Sequence, residues 1–114
     1  MTVNRTPPIA VARAAAKGLK IRSEQSPSNK AMRKKDGTPS QGVYTARQLI
    51  SGKPISIDLI QTMVAWFARH DANEKEVSNR KVLNSKAQQS FLAWGGAPGR
   101  AWAKKTLRRI QLEE

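Results

Sequence analysis

Backbone N–H groups freed by glycine can cradle a phosphate. Three of the chain's seven glycines fall between two of its three tryptophans, in FLAWGGAPGRAWAKK at residues 91–105. A phosphate-cradling loop follows a strand and opens a helix, as the Walker and Rossmann fingerprints do. Here helix-forming sequence lies on both sides and no Gly-Lys-Ser/Thr is present, which argues against nucleotide binding. The stretch reads better as packing. Gly95 suits the left-handed conformation of a helix end, Gly96 and Gly99 let the chain reverse tightly, and Trp94 and Trp102 then pack near each other or on Trp66. A residual anion role stays with Arg100 and the free N–H groups of the following helix, which could hold one nucleic-acid phosphate.

Parts for catalysis are scarce. His70 is the only histidine; it sits at the end of an apolar stretch beside Arg69 and Asp71, where a charged imidazole complements a helix's negative terminus. A metal site needs more His or Cys ligands than this chain has. Asp71, Glu74 and Glu76 fall in a charge-mixed stretch that reads as solvated loop, and no Ser-His-Asp or Lys-based set can be assembled. Neither an enzyme nor a cofactor nor a metal is expected.

Charge points elsewhere. Twenty-one Lys and Arg against eight Asp and Glu leave +13 on 114 residues, with a pI near 11.0. Residues 1–53 hold eleven of those cations and only Glu24 and Asp36 as acids, whereas residues 54–114 carry ten cations against six acids. Such an excess repels itself and calls for an acidic partner. The stretch SEQSPSNKAMRKKDGTPSQG, residues 23–42, has almost no apolar side chain to offset the entropy of ordering, so it reads as a mobile basic segment. Two cationic patches follow: Lys17, Lys20, Arg22, Lys30, Arg33, Lys34 and Lys35 in the N-terminal region, and Arg100, Lys104, Lys105, Arg108 and Arg109 near the C-terminus. With phosphate contacts of this kind, nucleic acid is the expected partner, DNA rather than RNA.

The elements that must carry these patches are helical. Pro7 and Pro8 suit a first helical turn, and PIAVARAAAKGLKIR offers strong helix formers, predicting a helix over residues 8–22 with a weak apolar stripe that Gly18 threatens to break. A second helix over 43–50 stops at Gly52 with Pro54 beyond. The third is the spine of the core: Ser56 caps it, Asp58 sits in its first turn, and IDLIQTMVAWFARH carries Ile57, Ile60, Val64 and Phe67 on one stripe with Leu59, Met63 and Trp66 beside it. Residues 71–84 read as loop with one helical turn. Ser85 stands three before Gln88 in a capping-box arrangement, opening a fourth helix that points Phe91, Leu92 and Trp94 inward. A last helix starts near Pro98 or Gly99 and runs to about residue 111 with Trp102, Leu107 and Ile110 inside and its cations, Arg100 among them, outside.

No segment alternates like a strand, so the class is all-α: a compact bundle of four to five short helices over residues 42–114, with residues 1–41 forming a basic N-terminal helix and flexible arm. Cysteine is absent and no run approaches the roughly 20 apolar residues of a membrane span, which predicts a soluble chain. The Ala-rich, acid-poor start has a transit-peptide flavour, but Pro7-Pro8 spoils its first turns and no cleavage site stands out. The pair of helices around residues 51–54 invites comparison with helix-turn-helix, for which Ser56, Asp58, Gln61 and Thr62 would be the base readers. Ala46 stands six before Gly52 rather than four, and the second helix of the pair is apolar on too many sides to lie in a groove.

The run TARQLISGKPISIDLIQTMVAWFARH, a spacer, then FLAWGGAPGRAWAKK resembles a short module of tailed-phage proteins. That module pairs an Arg-Ala-x-x-Leu start and a Phe-Ala-Arg-His end with a Trp-Gly-Gly-x-x-Gly-x-x-Trp-Ala close. The resemblance covers roughly residues 42–105, departs at Thr45-Ala46-Arg47 and in a more polar spacer, and implies a phage origin rather than an activity. The expectation is therefore a phage-encoded, non-catalytic nucleic-acid-binding protein in the host cytoplasm. The alternative is a virion or assembly protein whose basic arm lies along protein neighbours or the packaged genome.

Overall fold

Small side chains decide how the first helix packs. In the computed structural model, which describes residues 3–113, α1 (Ile9–Ser23) buries only Val11, Ala15 and Gly18, while Ile9 is exposed. Its stripe is weak because it is built from methyls and a hydrogen, and that same smallness lets neighbours approach closely. A Cβ on Gly18 would lie 2.5 Å from the Ala93 backbone nitrogen. The glycine expected to break the helix is instead the point where two backbones touch.

Five more α-helices follow: α2 (Gln41–Ile50), α3 (Ile57–Asp71), α4 (Glu74–Asn79), α5 (Lys86–Ala93) and α6 (Gly96–Glu113). A 3₁₀ turn, Pro27–Asn29, lies between α1 and α2, and the described residues hold no strand beyond an isolated bridge between Arg33 and Pro39. The all-α class stands. α4 is the helical turn expected in the charged loop. Ser56 accepts from Leu59 N to cap α3, and Ser85 accepts from Gln88 N to cap α5. Gln88 returns its Oε1 to the Asn84 N–H, one residue earlier than a capping box would place it.

α1 is central rather than appended. It packs on α5, α2 and α6, and α3 packs on α6, so Val11 and Ala15 share one core with Leu49, Ile60, Met63, Phe67 and Ala93. No gap in that core falls at residue 41. Ahead of α1, Arg5 accepts from Ile55 N at 2.9 Å and donates its Nη1 to Ile55 O at 2.9 Å, tying the extended N-terminal residues to the α2–α3 connection. That connection runs over residues 51–56 with Ile55 buried in it, against the three- or four-residue turn of a helix-turn-helix. α2 takes its main support from α1 and α5 while α3 takes its from α6, so the two do not pack together as a helix-turn-helix pair.

The glycine-rich turn is tighter than the sequence suggests. α6 begins at Gly96, so only Trp94 and Gly95 separate it from α5. Gly95 (φ +111°) and Gly96 (φ +62°) take the left-handed conformations that a side chain would resist. Gly99, expected in the reversal, sits inside α6, where a Cβ would press on the Trp94 carbonyl oxygen at 2.9 Å. Trp94 stacks on Trp66 (centroids 5.0 Å, planes 14° apart), and Trp66 meets Phe67 edge-on. Trp102 stays half-buried at the core's margin and joins none of these ring pairs.

Candidate nucleic-acid interface

The basic stretch between α1 and α2 is not a loose arm, and a buried glutamine is the reason. Gln89 on α5 is fully buried; its Oε1 accepts from Ala31 N (2.9 Å) and its Nε2 donates to Asn29 O (2.8 Å) and Asn84 O (3.0 Å). Both amide hydrogens and the carbonyl are thereby satisfied, which is what makes burying the group tolerable. Arg22 holds the same residue from the other side, donating Nε to Ala31 O at 2.8 Å. Beyond Ala31, Lys34 N donates to Thr38 O, Gly37 N to Lys34 O and Ser40 N to Met32 O, closing a tight loop with Gly37 at φ +86°. The Asp36-Gly37 pair was the sequence signal for this turn.

Pinning the loop gathers cations. Lys30, Arg33, Lys34 and Lys35 line one shallow concavity of about 320 Å³, and Lys86 joins them from the first turn of α5. Arg22 is drawn in from the opposite side, where burial first, then the nearby Arg33 and Arg47, pull its guanidinium below its ordinary pKa. Asp36 is the only acid in residues 27–37. Thr38 donates to it from Oγ1 (2.6 Å) and from N (3.0 Å), and these two bonds hold its carboxyl below the usual range. No Lys or Arg of the cluster forms an ion pair among the described residues. Lys86 also stands at the positive end of a helix dipole, where a cation is disfavoured until an anion arrives.

The other expected site residues divide. On α1, Lys17 and Lys20 are exposed and share a face with Arg13, which the i, i+4, i+7 spacing would have disclosed. On α6, Lys104, Lys105, Arg108 and Arg109 are exposed over two successive turns. Arg100 leaves the set: it is half-buried, with Nε 3.1 Å from Asp71 Oδ2, and its guanidinium lies 5.3 Å from the Phe91 ring centroid. The Arg100 Nε–Asp71 approach is within ion-pair range but off the angle of a hydrogen bond. Asp71 also takes Arg80 Nη1 at 2.7 Å, so the carboxylate read as solvated is a clamp between α4 and α6. Glu76 likewise is engaged, 2.6 Å from His70 Nδ1, and His70 stacks on Trp66 at 4.1 Å. The histidine thus joins α3 to α4 rather than merely facing its own helix end. Among the described residues no group of three or more His, Cys, Asp and Glu is placed to hold a metal, and no helix is long and apolar enough to cross a membrane.

Because Gln89 alone supplies two of the bonds that order the loop, to Ala31 N and Asn29 O, Gln89→Ala should loosen residues 29–35 while leaving the helices in place. Each buried group stripped of its partner costs about 1–3 kcal/mol. Hydrogen exchange at Ala31 and trypsin cleavage after Lys30 and Arg33 should both accelerate; unchanged protection at Ala31 would show the loop to be held by something else.

No family model, curated protein or solved structure matches the chain.

Proposed function

We propose that this protein is a phage-encoded, non-catalytic nucleic-acid-binding protein of the host cytoplasm that contacts the phosphate backbone, of DNA rather than RNA. The observation that carries the reading is the crowding of Lys30, Arg33, Lys34, Lys35 and Lys86 around one concavity with no carboxylate among the described residues paired to any of them. Cations held at fixed spacing by a buried amide lose little further entropy when phosphates dock between them. The α6 row of Lys104, Lys105, Arg108 and Arg109 offers a second set of contacts. The phage origin rests on the sequence resemblance alone.

A gel-shift series over rising salt tests this. Affinity should fall steeply, by about 0.7 to 0.9 log units per log unit of salt for each phosphate neutralised. Replacing Lys34 and Lys35 together by Ala should weaken binding and flatten that slope by about 2, and the Arg108→Ala, Arg109→Ala pair should act similarly. All four side chains are exposed, so the melting temperature should not move. No shift at low salt would remove this reading and leave the virion-assembly alternative, in which the same cations meet protein neighbours.

A further inference from the structure

Beside the cationic loop lies a cleft of different chemistry. A cavity of about 360 Å³, within the size range of small-ligand sites, is floored by the edges of Trp66 and Trp94 and bordered by Met32, Ser90, Arg69 and His70. It shares Gln41 and Thr62 with a second hollow of about 510 Å³ between α2 and α3, walled by Tyr44 and Asp58. It shares Met32 with the concavity of Lys30, Arg33, Lys34 and Lys35. Three neighbouring hollows are therefore separated by one or two shared side chains: cations line one, two indoles the next, and a tyrosine with polar side chains the third.

Trp94 brings an unused hydrogen-bond donor to the middle hollow. Only 4% of this residue is exposed, yet among the described residues its indole N–H has no hydrogen-bond partner, and it is not fully sealed from solvent. A Cβ on Gly42 would lie 3.0 Å from that nitrogen and 2.6 Å from the Met32 sulfur, so the indole nitrogen sits beside Gly42 and Met32, all three residues lining the hollow. Buried indoles ordinarily find an acceptor. The Ser90 hydroxyl nearby is likewise without a partner among the described residues, and Arg69 is exposed with no carboxylate in ion-pair range. The faces of Trp66 are taken by His70 and Trp94, so a ring entering here meets edges and donors rather than a stacking surface. The stacking surface is Tyr44, 53% exposed, with the Arg47 guanidinium 5.9 Å from its ring centroid.

We propose that this cleft takes the unpaired bases of a single-stranded nucleic acid whose phosphates run onto the 30–37 loop. A planar ring with carbonyl and ring-nitrogen acceptors satisfies Trp94 Nε1 and Ser90. At the far end Asp58 accepts from exocyclic amines, and its charge keeps phosphate away from that end. Tyr44 stacks the next base, and cationic track with aromatic platform is the combination by which proteins hold single strands without reading sequence. In a duplex the base edges are already paired and stacked, so the cleft would stay empty.

This inference rests on the nucleic-acid reading, and three probes of equal phosphate number separate the two: a single-stranded DNA oligonucleotide, an abasic strand of the same length, and a duplex. The base-bearing strand should bind about tenfold tighter than the abasic one and should alone quench tryptophan emission. Tyr44→Ala, at an exposed position, and Trp94→Phe, which removes only the indole N–H and ring bulk, should each shrink that ratio without changing abasic binding. Equal affinity for all three probes would overturn the cleft proposal and leave backbone binding standing. No binding of any probe at low salt would overturn both. A single-strand preference untouched by Tyr44→Ala and by Trp94→Phe would show that the bases sit elsewhere.

Discussion

Replacing Trp66 by alanine should lower the free energy of unfolding by about 3 to 5 kcal/mol, the range of buried Trp and Phe truncations. The side chain is the middle ring of three, with His70 4.1 Å on one side and Trp94 5.0 Å on the other, and it also meets Phe67 edge-on at 5.1 Å. Its loss therefore opens a cavity where α3 meets the α5–α6 junction and leaves two rings without a stacking partner. Domains of this size are stable by only about 5–15 kcal/mol, so roughly a fifth or more of the total is at stake. Urea unfolding followed by circular dichroism measures it, and Trp66→Phe should recover part of the loss. Trp102→Ala should cost less, because Trp102 is half-buried and outside the stack. A Trp66→Ala protein within about 1 kcal/mol of the parent would show that the ring stack is incidental to stability.

Gly18→Val should be as damaging by the opposite mechanism. The added carbon would lie 2.5 Å from Ala93 N, 2.9 Å from Gln89 O and 2.9 Å from Leu92 C, all backbone atoms that no rotamer change can move. α1 and α5 must part instead, at about 3 kcal/mol or more, the upper end of overpacking penalties. Since α5 carries Gln89, the same variant should free the basic loop, seen as faster trypsin cleavage after Lys30 and Arg33. Ala16→Val, on the exposed side of α1, is the control and should cost less than about 1 kcal/mol, the helix-propensity penalty of a β-branched residue. A cooperative melt for Gly18→Val at the parent's temperature would contradict the close approach of the two helices.

Much of the framework was written locally. Ser56 and Ser85 cap their helices through bonds to residues three positions on, and Gly52 ends α2 at φ +76°. Helix α3 buries Ile60, Met63, Trp66 and Phe67, as its periodicity predicts, although Ile57 is exposed and Val64 and Leu59 are only half-buried. Phe91 and Leu92 on α5 are half-buried as well, because Gln89 and Ala93 take the innermost positions. A polar glutamine at the most buried turn of a short helix is invisible to an apolar pattern. The loop it orders looked disordered for the same reason: its anchors lie 58 and 60 residues away in sequence. Composition records how little apolar surface a segment can bury, and it is blind to a distant amide that supplies the missing bonds.

From the chain alone came the helical class, most helix ends and the excess of positive charge, since caps, periodicity and net charge depend on residues a few positions apart or on none at all. The folded arrangement decided that Arg100 is spent on Asp71, that Gly18 and Gly99 are contact points inside helices rather than a break and a turn, and that four loop cations and Lys86 share one hollow. Each of these is a meeting of groups far apart in sequence, and only the packing of α1 and α3 against α5 and α6 brings them within reach.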